Sequence, residues 1–108
     1  MSGLSAYVPP VPPRLGEGQT WKNVKSSRSF GTSYRNTTGR TITVIVSVSG
    51  ANNQRRAEVS STGTNWVIAA YLDGSSGIED SATIIVPDGW FYRVTGGAGS
   101  MSTWVELS

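Results

Sequence analysis

The chain contains no cysteine and no histidine among its 108 residues. Their absence excludes disulfides, thiolate nucleophiles, Ser-His and Cys-His catalysis, and nearly every zinc or iron site, because those sites are built from these two side chains. Charge is also scarce, at 15% of residues with a formal net charge of +2. Arg55 and Arg56 form the only adjacent basic pair, so no basic stripe is visible and we expect no nucleic-acid partner.

Long apolar runs are missing as well. No run approaches the ~20 residues that a bilayer-spanning helix needs. The first residues, MSGLSAYVPP, lack the charged start and apolar stretch of a signal peptide. The sequence therefore predicts a soluble protein without membrane insertion and without a signal peptide.

Proline is concentrated near the N-terminus, where residues 7–13 hold all but one of the five prolines. Proline fixes the backbone angle φ and removes a hydrogen-bond donor, so we expect an extended polyproline II linker or strap over residues 1–15. A ligand for SH3 or WW domains is the alternative, which is disfavoured because Arg14 is the only flanking basic residue. The folded domain is expected over residues 16–108.

The clearest local pattern lies in residues 41–49, where Ile42, Val44, Val46 and Val48 alternate with mostly hydroxyl side chains. Period two with β-branched residues predicts a half-buried strand. Similar segments separated by Gly, Asn, Asp and Ser clusters predict about eight short strands, over residues 19–24, 30–35, 41–49, 55–60, 65–72, 81–86, 90–95 and 101–107.

No window shows helical spacing, so the predicted fold is all-β. An antiparallel β-sandwich, a jelly roll or a partly closed barrel fits strands at this spacing. Residues 65–72 form an almost unbroken apolar run, which predicts a strand buried on both faces. The predicted core comprises Ile42, Val44, Val46, Val48, Ile68, Ile84, Val86, Val94 and Val105.

The acidic residues offer little for catalysis. Glu79 and Asp80 are neighbours and would point to opposite faces of a strand, although Asp73 can approach them across the loop of residues 73–80. That loop lacks the spaced oxygen ligands of a known calcium loop, and a solvated turn is the simpler interpretation. We therefore expect no enzyme activity, no metal and no cofactor.

Aromatic residues are the strongest remaining signal. The chain has four tryptophans, and in residues 90–92 Trp90 and Tyr92 should share one face of a strand while Phe91 lies on the other. Such side chains either pack in the core or against another subunit, or they stack on sugar rings.

Four motifs resemble the small C-terminal β domains of phage and prophage tail fibres: GQTW at 18–21, SRSFGTSY at 27–34, NTTGR at 36–40 and VPDGWFYRV at 86–94. The resemblance covers roughly residue 16 to the C-terminus. It implies a receptor-binding tip of a homotrimeric fibre in the virion, attached to a bacterial surface glycan or lipopolysaccharide. The sequence shows no coiled-coil or β-helical fibre shaft, so we expect either an isolated tip fragment or a small free-standing protein that joins a larger tail assembly. The second possibility makes a structural or adaptor component that binds other phage tail proteins the alternative.

A binding module should carry its ligand contacts in loops, which vary while the scaffold holds them. The candidate loops are residues 50–54, 73–80 and 96–100. Arg55, Tyr71 and Asp73 are the individual ligand-binding candidates, and no catalytic or metal-binding residue is predicted.

Overall fold

The computed structural model describes residues 11, 13–50, 54–73, 78–96 and 99–108. Its strands are β1 Trp21–Asn23, β2 Tyr34–Arg35, β3 Ile42–Ser49, β4 Arg55–Ser60, β5 Val67–Leu72, β6 Glu79–Val86, β7 Phe91–Thr95 and β8 Ser100–Leu107. A 3₁₀ turn at Lys25–Ser27 is the only helical element in this part of the chain. Within it, no helix approaches the length and hydrophobicity that crossing a bilayer requires. The all-β prediction is confirmed, and each predicted segment overlaps one strand.

The strands form two antiparallel four-stranded sheets, β1-β8-β3-β6 and β2-β7-β4-β5. We call them the β3 sheet and the β4 sheet. The first strand pairs with the last, the second with the seventh, the third with the sixth and the fourth with the fifth. The chain is thus one long hairpin whose successive strand pairs lie in alternate sheets, which is the connectivity of a jelly roll.

The core lies between the sheets. On β3, Ile42, Val44, Val46 and Val48 are each at most 1% exposed. The β4 sheet contributes Ala57, Leu72, Tyr92 and Val94 to the same cluster. Period-two alternation therefore correctly predicted the inward face of β3. The predicted half-burial is wrong, because Thr43 and Ser47 on the outer face are each only 8% exposed between the neighbouring strands β6 and β8.

The predicted double burial of β5 is wrong. β5 lies at the edge of the β4 sheet, and Val67, Ile68 and Tyr71 are 60%, 39% and 53% exposed. A register shift between Ala57 and Glu58 places Ile68 opposite Glu58, so Ile68 leaves the predicted core. An apolar run alone cannot distinguish a central strand from an edge strand, because the neighbours are set by topology.

The inward residues of β8 also differ from the expectation. Trp104 is fully buried and Glu106 is 5% exposed, whereas Val105 is only half-buried. Trp104 pairs with Val46 and Val105 with Ile45, so the indole faces the core and Val105 lies on the outer face. Val105 is therefore not a core residue.

One end of the sandwich is built from the NTTGR and PDGW motifs. Asn36 is 1% exposed, and its Nδ2 donates to the carbonyls of Arg40 at 2.6 Å and Val86 at 3.0 Å. The amide of Gly39, with φ of 83°, donates to Asp88 Oδ1 at 3.0 Å. The two loops thus hold each other in place.

The same end anchors the N-terminal segment. The Arg40 guanidinium donates to the carbonyl oxygens of Glu17 and Arg14, the latter at 2.7 Å. These bonds hold the turn of residues 15–18 against the sandwich, and we call this the strap end. Residues 1–10 and 12 lie outside the described residues, so the extended conformation of the proline-rich segment stays a prediction.

Val46→Asp should prevent folding. Val46 is 1% exposed in the core, and burial of an unpaired carboxylate costs several kcal/mol against a typical stability of about 5–15 kcal/mol. Thermal denaturation followed by circular dichroism should show no cooperative transition. Val67→Asp is the matched control, because Val67 is 60% exposed and should tolerate the charge. Equal melting temperatures for the two variants would contradict the assigned core.

Candidate functional site

Strand register brings the three candidate loops to one end of the sandwich. Ser49, at the end of β3, pairs with Glu79 of β6 and with Ser100 of β8. In the other sheet, Arg55 at the start of β4 pairs with Leu72 at the end of β5. Loops 50–54, 73–80 and 96–100 therefore leave the sandwich together, opposite the strap end, and we call this the far end. Parts of them, residues 51–53, 74–77 and 97–98, lie outside the described residues.

Arg55 lies inside the far end. It is 8% exposed, and its guanidinium donates to the carbonyls of Gly96 and Gly99, the latter at 2.9 Å. The guanidinium carbon lies 3.7 Å from the centre of the Phe30 ring. Burial lowers the pKa of Arg55. This side chain braces the ends of the β7–β8 loop and presents little surface to a ligand.

Tyr71 and Asp73 occupy different surroundings. Tyr71 is 53% exposed and lies opposite the exposed Arg56. Asp73 is exposed, and its backbone amide donates to Asp80 Oδ2 at 2.8 Å. The structure thus places Tyr71 beside Arg56 on an outer face, but it does not place Arg55 on that face.

The outer face of the β3 sheet carries no charge near the strap end. Two rows of cross-strand neighbours make up this part of the face. The first row runs Trp21, Leu107, Thr43 and Ile85, and the second runs Asn23, Val105, Ile45 and Thr83. Trp21 and Ile85 are 53% and 50% exposed. This neutral face leaves an aromatic and an aliphatic side chain in solvent.

The outer face of the β4 sheet combines arginines with aromatic rings. The Arg93 guanidinium carbon lies 3.8 Å from the centre of the Trp66 ring, and that of Arg35 lies 5.1 Å from that of Phe91. The Nε of Arg93 also donates to Glu58 Oε1 at 3.1 Å. Phe91 lies on this face while Tyr92 is buried, as the alternation in residues 90–92 predicted. The arginines are far apart in sequence, so sequence reasoning missed this face.

A buried carboxylate joins the two sheets. Glu106 Oε2 accepts from the Tyr92 hydroxyl at 2.9 Å and from Trp104 Nε1 at 3.0 Å. Arg28 grips the same carboxylate with two bonds, Nε to Oε2 at 3.1 Å and a terminal nitrogen to Oε1 at 3.0 Å. Sequence reasoning missed this cluster, because Glu106 follows the strand pattern of a surface residue.

The cluster changes two pKa values. Burial and the adjacent Glu106 charge raise the pKa of Tyr92 well above its ordinary value. Burial alone would lower the pKa of Arg28, but the hydrogen bonds and charges of Glu106 and Tyr92 together outweigh it and leave that pKa raised. Tyr92 is therefore neutral and Arg28 charged at any physiological pH.

The strap end has an open cleft of about 410 Å³, lined by Pro13, Leu15, Gly39, Arg40, Thr41 and Asp88. Among the described residues, no group of three or more acidic side chains is placed to hold a metal ion. What the described surfaces can supply is stacking, apolar contact and charge-assisted hydrogen bonding.

The chain matches no family model, no curated protein and no solved structure. The four motifs are a sequence resemblance only, and the surfaces of the sandwich are the structural features that bear on function.

Tyr92→Phe should destabilise the domain by about 1–3 kcal/mol, because it removes a hydrogen bond to a buried carboxylate. Neutral Tyr92 contributes stability below about pH 10, and that contribution falls as pH rises further, since the unfolded tyrosine ionises first. The wild type should therefore lose more melting temperature than the variant between neutral pH and about pH 11. Tyr71→Phe, at an exposed tyrosine, is the control. Identical pH profiles for all three proteins would contradict the assigned role.

Proposed function

We propose that this chain is a phage tail-fibre tip module that binds a host bacterial surface receptor, a glycan or lipopolysaccharide, without cleaving it. The observation that carries the proposal is that the two ends of the sandwich differ. Arg40 anchors the N-terminal segment at the strap end, and the three candidate loops leave at the opposite end. This arrangement suits a fibre tip, because a tip is attached to the fibre at one end and binds its receptor through loops at the other.

The non-catalytic part of the proposal rests on how the acids are used. Glu106 is buried and bonded to Arg28, and Glu58 Oε1 accepts from both Arg93 and Thr95. Glycoside hydrolysis needs two carboxyl groups facing one sugar. Glu106 and Glu58 already hold other side chains in place, and Asp80 accepts hydrogen bonds from the backbone amides of Asp73 and Ser81. Binding through loops and exposed rings gives weak single sites, with Kd on the order of 0.1–1 mM, which avidity strengthens.

We further propose that the chain forms a homotrimer through the neutral face of the β3 sheet. A domain of 108 residues has a small core, and oligomers bury surplus apolar surface. Trp21 and Ile85 supply such surface in the row nearest the strap end.

A structural or adaptor component of the tail is the second candidate function. The same neutral face favours it, because an uncharged patch with an exposed indole is as suited to another tail protein as to a second copy. The two functions differ in whether the isolated protein recognises cells.

The purified domain should bind susceptible bacteria and reduce phage adsorption when it is added before the phage. Occupied receptors cannot bind fibre tips, so the number of adsorbed phage should fall with increasing protein concentration. Flow cytometry of labelled protein and plaque counts measure the two effects, and resistant strains are the control. A protein that ignores cells but captures another tail protein would support the adaptor function instead.

Sedimentation equilibrium should give close to three times the monomer mass of 11.5 kDa. Ile85→Glu places a charge at one end of the first row of the proposed interface and should shift the mass to that of the monomer. Val67→Glu, on an edge strand of the other sheet, should leave the mass unchanged. A wild-type monomer at micromolar concentration would overturn the trimer.

A further inference from the structure

We infer that the outer face of the β4 sheet binds an anionic glycan through Arg35, Arg93 and Arg56. This inference rests on the proposed function and specifies the class of receptor, a glycan bearing carboxylate or phosphate groups. It adds the outer face of the β4 sheet to the far-end loops as a surface that contacts the receptor. We call these three residues the arginine line.

The arginine line follows from strand register. Arg35 on β2 pairs with Phe91, two residues before Arg93 on β7. Arg56 on β4 pairs with Thr95, two residues after Arg93. Each step therefore moves one strand across and two residues along, a diagonal of about 7–8 Å between side-chain positions. The three side chains share one face and cross the sheet from near the strap end towards the far end.

Two of the three guanidinium groups are held in place. Arg93 Nε donates to Glu58 at 3.1 Å while the group lies over Trp66. Arg35 Nε donates to the Gly89 carbonyl at 3.1 Å while its group lies near the Phe91 ring. Among the described residues, the terminal nitrogens of both make no hydrogen bond. An oriented guanidinium with free terminal donors is suited to bidentate contact with a carboxylate or phosphate.

The charge of this face favours an anionic ligand. The three arginines are accompanied on the same outer strand positions by one acid, Glu58, which accepts from Arg93 and Thr95. Tyr71, opposite Arg56 and 53% exposed, extends the face with a ring that can contact a sugar. A polymer with repeated acidic groups can engage successive arginines along the diagonal.

The same features disfavour single-stranded nucleic acid. Proteins that bind it stack bases on open aromatic rings. Here guanidinium groups lie over Trp66 and near Phe91, so these rings serve to position the arginines. Of the aromatic rings named on this face, Tyr71 alone stays uncovered, whereas successive bases stack on several rings. An anionic glycan needs no such series of rings.

The test is calorimetric titration of the full chain with an oligogalacturonate and with a neutral oligoglucan of equal length. Wild type should bind the acidic oligosaccharide, more weakly as salt increases, and should not bind the neutral one. Arg56→Gln, Arg35→Gln and Arg93→Gln should each weaken binding by about tenfold, since a charge-assisted bond is lost. Lys25→Gln removes the same charge from an exposed position on the Lys25–Ser27 turn and should leave binding unchanged.

Several outcomes overturn the inference. Equal binding of neutral and acidic oligosaccharides, or equal affinity in the arginine variants and Lys25→Gln, removes the arginine line as the site. Tighter binding of a single-stranded oligonucleotide, weakened by the same substitutions, assigns the face to nucleic acid instead.

Arg93→Lys keeps the charge without the planar fork and should bind less tightly than wild type, which distinguishes the proposed geometry from bulk charge.

A cell assay separates this inference from the proposed function. If the Arg35→Gln/Arg56→Gln double variant still binds susceptible cells as wild type does, the arginine line is wrong and the tip function stands. If wild type binds no cells at all, the tip function fails, whatever the calorimetry gives.

Discussion

The buried carboxylate of Glu106 is the interaction on which the rest of this sandwich depends. Glu106 lies on the β3 sheet and accepts a hydrogen bond from the hydroxyl of Tyr92 on the β4 sheet. It also accepts hydrogen bonds from Arg28, which lies in the β1–β2 connection. Removal of one partner of a buried ion pair such as Arg28–Glu106 costs about 3–5 kcal/mol, because a charge is left buried without compensation. Its hydrogen bonds also fix which residues of β7 and β8 point inward.

Those inward positions determine both outer surfaces. With Trp104 and Glu106 inward, Val105 and Leu107 must face outward, next to Ile45 and Thr43. With Tyr92 and Val94 inward, Phe91 and Arg93 face outward on the other sheet. A register slip of one residue would exchange these sets and put arginines in the core. The neutral face and the arginine face are thus two results of the same constraint.

The inward faces of the central strands were predictable from the sequence. β3 has an apolar residue at every second position from Ile42 to Val48, and Ile84, Val86 and Val94 are buried as expected. The predictions were wrong where burial depends on which strands lie alongside. β5 is apolar but lies at a sheet edge, and β8 buries Glu106 while Val105 remains half-buried. Periodicity reports that a strand has two faces, but only the packing partners decide which face is covered.

The candidate site follows the same division. The sequence determined the all-β class, the turn motifs and the position of loops between strands, because these depend on residues close together in the chain. Tertiary structure decided that Arg55 braces the far end from inside, that three loops emerge together, and that Arg35, Arg56 and Arg93 form a diagonal. Those outcomes arise from pairings between strands that are distant in the chain, since a jelly roll pairs its first strand with its last. The local sequence pattern therefore cannot predict them.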